Sequence, residues 1–274
     1  MQIKAYAKIN WSLRVIGKRA DGYHDIETLF QAISLHDTIT IMESDRWSIT
    51  CDDPTVPCDE TNLVMRAARA IDAPPLYIAL QKRIPTGGGL GGGSSDAAAT
   101  LLAVDQMFSL RTAPERLREI ALSLGSDVPF LLNGGTAYAT GRGEQLTPLP
   151  ASKAIPLLLV CPRERVSTAE AYSMIRNYSR PVGVDRYRTM VAGDLLAHRD
   201  ELVNDFEEPV FARTPLLREL RDRMSLAGAA WARMSGSGST IVGAFRTQSA
   251  RDAARSAFAD VRTESAETLS NAAL

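Results

Sequence analysis

Six glycines fall within the eleven residues Pro85-Thr-Gly-Gly-Gly-Leu-Gly-Gly-Gly-Ser-Ser95, and a helix is expected directly behind them, from Ser95 to Phe108. Glycine lets backbone N–H groups come close to an anion and takes φ > 0 without strain. A helix N-terminus adds unpaired N–H groups and a partial positive charge, so the combination suits a phosphate. A Walker A loop needs a lysine before its Ser/Thr, and none stands there. A Rossmann fingerprint fits poorly, since the preceding apolar run (Leu76–Leu80) is short and Lys82-Arg83 interrupt it. A flexible Gly/Ser linker would not run straight into an alanine-rich helix.

Phosphoryl transfer also needs cationic stabilisation and a group that orients or deprotonates the acceptor hydroxyl. Ser94 and Ser95 supply hydroxyls that can cap the helix or touch phosphate or Mg²⁺, and Asp96 reads as a complement to the helix dipole. Lys8 and Asn10 lie two apart on a strand-like run and point the same way. Taken alone, Lys8 fits an exposed strand lysine, and Asp127, after Gly125-Ser126, fits a turn aspartate. The run Ser235-Gly-Ser-Gly238 fits a tight turn or a close approach of backbone to substrate.

The chain that must position these groups has 274 residues, 45% of them hydrophobic, enough for a sizeable core in two lobes. Its net charge of −1, with no basic block, argues against nucleic acid as a partner. Cys51, Cys58 and Cys161 match no zinc spacing and read as free thiols of a reducing compartment. The scattered His24, His36 and His198 argue against a His-based metal site, leaving a hard cation held partly by phosphate oxygens. No signal peptide and no membrane span are read, so a cytoplasmic protein is expected.

Alternation places Ile3, Ala5, Ala7 and Ile9 on one face of a strand and Lys4, Tyr6, Lys8 and Asn10 on the other, predicting one buried face. Further strands are expected at Thr28–Leu35, Thr38–Met42, Trp47–Thr50, Leu76–Leu80, Thr136–Thr140, Pro156–Cys161, Ile241–Phe245 and Val261–Glu264. Helices are expected from an Asn62 cap to Ile71, from Pro114 to Leu124, and over Thr168–Tyr178, Asp200–Val210, Pro215–Ala227 and Ser249–Ala259. Pro148-Leu-Pro150 is a plausible domain boundary.

Three separated segments, Ala7-Lys-Ile-Asn10, Ile84-Pro-Thr-Gly-Gly-Gly-Leu-Gly-Gly-Gly-Ser-Ser-Asp-Ala-Ala98 and Met234-Ser-Gly-Ser-Gly-Ser-Thr240, closely resemble the motifs of the GHMP small-molecule kinases, in the same order. The doubled Gly-Gly-Gly with Ser-Ser-Asp, Lys18-Arg-Ala-Asp-Gly-Tyr-His24, Gly125-Ser-Asp-Val-Pro-Phe130 and Asn204-Asp-Phe-Glu207 are similar to one branch of that family. That branch phosphorylates the 2-hydroxyl of a cytidine-diphosphate-linked methylerythritol in non-mevalonate isoprenoid synthesis. Trp11 departs from the usual aliphatic or Phe at its place, which touches packing, and Val166-Ser-Thr168 fits the branch only loosely.

The resemblance implies an α+β fold of two lobes: a ribosomal-protein-like βαβ lobe over residues 1–150, which binds ATP, and a ferredoxin-like lobe over residues 151–274. It implies that Lys8 and Asp127 form the catalytic pair, with the lysine keeping the aspartate ionised and offsetting charge on the γ-phosphoryl. It places ATP, used with Mg²⁺, on Pro85, Thr86, Gly87, Gly88, Gly89, Leu90, Gly91, Gly92, Gly93, Ser94 and Ser95. Asn10, Tyr23 and His24 would meet the small-molecule, cytidine-linked substrate, Tyr23 by stacking on the base; without the resemblance, Tyr23 and His24 read as a turn with an aromatic lid. Other GHMP kinases act on homoserine, mevalonate or sugars, and these acceptors have no base for an Asp-Gly-Tyr-His segment to read.

Overall fold

The alternation from Ile3 onward opens a long strand, β1 (Gln2–Lys18), in the computed structural model of the protein. Residues 1–150 and 153–270 are described; the expected domain boundary after residue 150 abuts residues outside that set, as do the last residues of the second expected domain. β1 pairs antiparallel with β2 (His24–Glu43) along its length. Two strands were expected where β2 runs unbroken through 20 residues. The β1 register shifts between Tyr6 and Lys8, and the bulged stretch of β2 finds a different partner. Ile33 bridges Thr268, and the Glu267 N–H donates to Ser34 Oγ at 3.0 Å.

The expected single buried face of β1 is also corrected. Lys8, Asn10 and Ser12, on the polar face, are all buried. Two glycine loops cover that face: a Cβ on Gly91 would lie 3.1 Å from Lys8 Cγ, and one on Gly236 would lie 3.5 Å from Asn10 Oδ1. At Gly91 a Cβ would crowd the lysine stem, so the loop lies that close because it carries none.

β3 (Ser48–Cys51) and β4 (Leu76–Gln81) are parallel and joined by α1 (Leu63–Ala70), a βαβ unit. Asn62 caps α1 as expected, its side chain accepting from the Val64 N–H at 2.9 Å. The hairpin β5 (Thr136–Thr140) and β6 (Gln145–Pro148) completes the first sheet, in the order β3-β4-β2-β5-β6 with β1 on β2. Helices α2 (Gly92–Met107), α3 (Pro114–Leu124) and α4 (Val128–Asn133) belong to this lobe. The second sheet is antiparallel, in the order β10 (Arg262–Glu267), β7 (Pro156–Cys161), β9 (Ile241–Ala244), β8 (Trp231–Met234). With it come α5 (Thr168–Met174), α6 (Val184–Ala192), α7 (Glu207–Arg213), α8 (Pro215–Leu226) and α9 (Gln248–Arg255). The expected two-lobed α+β architecture is therefore present.

The lobes share a core. Trp11, Ile9 and Leu29 pack with Leu157, Leu159 and Trp231, and the Trp11 and Trp231 ring centroids are 4.7 Å apart. Burying side chains of this size contributes on the order of 2 kcal/mol each, so the two lobes stabilise one another.

α2 begins at Gly92, three residues before the expected start. No acidic residue stands in its first turn, so Asp96 does not serve the helix dipole. Asp96 is buried and pairs with Lys82, whose ammonium sits between Asp96 and Asp37. Asp37 also accepts the N–H of Ile84 at 2.8 Å and that of Arg83. This ion group ties β2, the entry to the glycine loop and α2 together. Burial pushes the Asp96 carboxyl above the ordinary carboxylate range, against the pull of the Lys82 ammonium and with the push of Asp37. Lys82 is itself raised, because its two carboxylates outweigh the burial that opposes its charge; that contribution is full below the ordinary lysine range and fades only in strong base.

A raised carboxyl stabilises the fold fully below the ordinary range and loses that contribution as pH climbs through its native value. Asp96→Asn cannot release a proton. We therefore expect the parent to lose more stability than the Asp96→Asn variant between about pH 4 and neutrality. Urea unfolding of both at several pH values measures it; parallel pH profiles would contradict the assignment.

Candidate active site

β1 passes beneath the glycine loop, where its Lys8 N–H donates to the Leu90 carbonyl at 3.0 Å. That bond sets the loop over the Lys8 side chain. Gly89 and Gly91 hold φ of +76° and +72°, so the loop turns sharply before α2 begins. The first amides of α2, at Gly92, Gly93 and Ser94, have no partner one turn back, and all three residues line a cleft of ≈ 810 Å³. Ser94 carries the hydroxyl that faces the cleft, whereas Ser95 Oγ donates to the Tyr6 carbonyl at 2.6 Å and ties α2 to β1. Among the described residues, Pro85, Gly87, Gly88 and Gly89 line the cleft; Leu90 is buried in the shared core, and Thr86 Oγ1 lies 3.4 Å from Asp53 Oδ2. Thr86, Leu90 and Ser95 thus have side chains committed elsewhere.

The second glycine run, between β8 and β9, docks on the first. Ser235 Oγ donates to the Gly89 carbonyl at 3.0 Å, and the Thr240 N–H donates to the Gly88 carbonyl at 3.2 Å. Gly236, Ser237 and Gly238 then form one wall of the cleft. The run is a tight turn that brings backbone to the wall of the cleft.

Lys8 and Asp127, 119 positions apart in sequence, meet in the cleft, with Nζ 3.4 Å from Oδ2. Asp127 stands at the N-terminal end of α4 with no side-chain cap bond to the helix, so its carboxylate is available to the cleft. Lys8 Nζ donates to Asn10 Oδ1 at 2.8 Å, Asn10 Nδ2 to Thr28 Oγ1 at 2.7 Å, and Thr28 Oγ1 to the Ser12 carbonyl at 2.7 Å. The bonds run in one direction, from the ammonium through the Asn10 amide and the Thr28 hydroxyl to the backbone, and fix where the ammonium points. Among the described residues lining the cleft, Lys8, Lys18 and Arg142 are cationic and Asp127 is the single carboxylate, a balance suited to polyphosphates.

The turn between β1 and β2 supplies the far wall. Tyr23 is 55% exposed and lies under the Arg142 guanidinium, 4.7 Å from ring to cation. His24 stacks on Tyr172 of α5 with centroids 4.8 Å apart and 14° between planes. Burial, then the Lys18 charge, holds the His24 ring below the ordinary imidazole range, so it is neutral at pH 7 with one nitrogen free to accept. Burial and the Asp127 charge push the Tyr172 hydroxyl up to about 12, so it stays protonated. Arg142 and Tyr172 are cleft residues that sequence reasoning missed. Each sits in an ordinary turn or helix, and only the fold brings it to the site. Thr168 does line the cleft, with Oγ1 3.0 Å from Ser237 Oγ.

Among the described residues, no group of three or more His, Cys, Asp or Glu side chains is placed to hold a metal ion. No helix among them is long and apolar enough to cross a membrane.

Residues 62–135 match the family model for the GHMP kinases N terminal domain, and residues 189–261 match that for the GHMP kinases C terminal region. The chain is 40% identical over 271 residues to the 4-diphosphocytidyl-2-C-methyl-D-erythritol kinase of Prosthecochloris aestuarii (strain DSM 271 / SK 413), covering 94% of this chain and 92% of that protein. A crystal structure of 4-(cytidine 5'-diphospho)-2C-methyl-D-erythritol kinase superposes with a TM-score of 0.84 at 34% identity, over 98% of this chain and 99% of that one. L. major mevalonate kinase, solved with R-mevalonate, superposes at 0.71 with 15% identity over 98% of this chain and 95% of that one, which speaks for a shared fold alone.

Proposed function

The chain belongs to the GHMP kinase family, and on that premise we propose that it transfers the γ-phosphoryl group of ATP to the 2-hydroxyl of 4-diphosphocytidyl-2-C-methyl-D-erythritol, giving the 2-phosphate and ADP in non-mevalonate isoprenoid synthesis. The observation that carries the reading is the Lys8–Asp127 contact of 3.4 Å, set between a glycine loop that ends in a helix N-terminus and an aromatic wall suited to a base.

In this reading Asp127 receives the proton of the acceptor hydroxyl as its oxygen bonds to the γ-phosphorus and the bond to the β-phosphate oxygen breaks. Lys8 offsets the negative charge that gathers on the transferring group, held in place by Asn10. The amides of Gly92, Gly93 and Ser94 bind the donor phosphates. Ser94 is the one loop hydroxyl open to the cleft, and with so few carboxylates there Mg²⁺ would be held chiefly by phosphate oxygens, with Ser94 the protein's contribution. Bound there, the ion would draw charge off the phosphates. A cytoplasmic location suits a kinase that draws on the ATP pool.

On the acceptor side, Tyr23 offers an exposed ring for the cytosine face, and the neutral His24 an acceptor for its exocyclic amine. Tyr23→Ala is expected to raise the acceptor KM by about 10- to 100-fold, the range for loss of one stacked base, while the ATP KM stays within about twofold. Equal loss of both would make the ring structural. The proposed reaction itself is tested with γ-labelled ATP: label recovered as a stable monoester on the acceptor's 2-oxygen supports it. Label released as free phosphate, with the acceptor recovered unchanged, would contradict it.

A further inference from the structure

The run Asn204-Asp-Phe-Glu207 enters the sequence reading only as part of a resemblance, and nothing in the proposed chemistry uses it. In the structure its four side chains hold segments beside the cleft, and Phe206 lines it. Asn204 is buried and spends its whole amide: Nδ2 donates to the Met234 carbonyl at 2.7 Å and to the Gly236 carbonyl at 2.8 Å, and Oδ1 accepts the Phe206 N–H at 3.0 Å. Glu207 Oε1 accepts the Met234 N–H at 2.7 Å. Asp205 accepts the Val15 N–H at 2.7 Å and the Ser179 hydroxyl at 2.9 Å. The Phe206 ring meets Tyr172 edge to face, with centroids 4.8 Å apart, and Tyr172 in turn backs His24.

The run is held beside the site by β1. The Leu13 N–H donates to the Val203 carbonyl at 2.7 Å, and the Asp205 N–H to the Leu13 carbonyl at 3.0 Å. This pairing explains why no helix spans 200–206, although one is expected over Asp200–Val210: Val203 and Asp205 bond Leu13 of β1, and the chain turns helical only at Glu207.

We propose that Asn204 is a positioning residue for the phosphoryl donor, fixing the Met234–Gly236 backbone that buttresses Gly88 and Gly89, while Phe206 two residues on positions Tyr172 on the acceptor side. Asn204 touches neither substrate. Its two donated bonds fix the carbonyls on either side of Ser235, and Ser235 and Thr240 carry that geometry to the phosphate loop. An aspartate in the same place keeps size and the acceptor for the Phe206 N–H but sets an oxygen against two carbonyl oxygens. The inference rests on the proposed kinase reading for the identity of the ligands.

The test is equilibrium binding of AMPPNP and of cytidine 5'-diphosphate to the full chain, with circular dichroism as the fold control. Asn204→Ala and Asn204→Asp should each weaken AMPPNP by about tenfold or more, as expected for two lost hydrogen bonds, with cytidine 5'-diphosphate changed less than about twofold. Phe206→Leu should show the reverse split. Should Asn204→Ala not fold, Asn204→Asp, close to isosteric, carries the test. AMPPNP affinity retained in Asn204→Asp, or equal loss of both ligands in a folded variant, would overturn the proposal. Parent protein that binds AMPPNP but not cytidine 5'-diphosphate would count against the acceptor reading and against Phe206's assigned role, while leaving the Asn204 arm fully readable.

Discussion

Asp127→Ala is expected to lower kcat by about 10²- to 10⁴-fold, the range for removing a general base, while AMPPNP binding stays close to that of the parent. The separation follows from the architecture. Asp127 contacts Lys8 at 3.4 Å across the cleft, but neither glycine loop depends on it for a hydrogen bond, so the donor cradle survives its removal. Steady-state turnover with equilibrium AMPPNP binding measures both halves. Turnover within a few-fold of the parent would remove Asp127 from the chemistry. Equal loss of turnover and AMPPNP affinity would make it part of the donor site.

Gly89→Ala is the second large effect, and it acts through backbone. A Cβ there would stand 2.0 Å from the Ser235 carbonyl oxygen and 3.2 Å from that of Gly238, at a φ of +76°. Both obstacles are main chain and cannot rotate away, so the two glycine loops must separate. The donor KM should then rise by far more than the strain of an L-residue at positive φ, roughly 1–2 kcal/mol or about 5- to 30-fold, would cause alone. Gly87→Ala is the internal control: its φ is +72°, but nothing lies within 4 Å of the added carbon, so it should suffer only the strain. Equal ATP KM values for the two variants would mean that loop-on-loop docking does not set donor affinity.

What could be read from the sequence follows the range of the forces involved. The Asn62 cap, the strand at Leu76–Leu80 and the helix opened by Pro114 are local signals, and each element stands where its residues place it. The two strands expected at Thr28–Leu35 and Thr38–Met42 are one, and the bulge between them is matched by residues more than two hundred positions away. α2 begins inside the glycine run, where a Cβ at Gly92 would lie 3.1 Å from Ile84 Cγ2, although glycine is a poor helix former and the sequence predicts the start at Ser95. β8 was missed because four residues, one of them Arg233, carry too little pattern.

The cleft divides in the same way. Lys8, Asn10, Asp127 and the glycine loop are motif residues, and the fold gathers Lys8, Asn10, Asp127 and most of the loop in one place. Arg142 and Tyr172 come from a turn and a helix with no distinguishing local pattern, and they acquire a role only by facing Tyr23 and His24. Asp96 reads as a helix-dipole residue until Lys82 is seen beside it.

A glycine loop at a helix N-terminus, a Lys–Asp pair and an aromatic wall meet in one cleft. The most direct test is turnover with ATP·Mg²⁺ over an acceptor panel: 4-diphosphocytidyl-2-C-methyl-D-erythritol, free methylerythritol, homoserine and mevalonate. Efficient phosphorylation of the cytidine-linked acceptor is expected, with a kcat/KM lower by orders of magnitude for the other three. Comparable kcat/KM on free methylerythritol, or preferred turnover of homoserine or mevalonate, would contradict it.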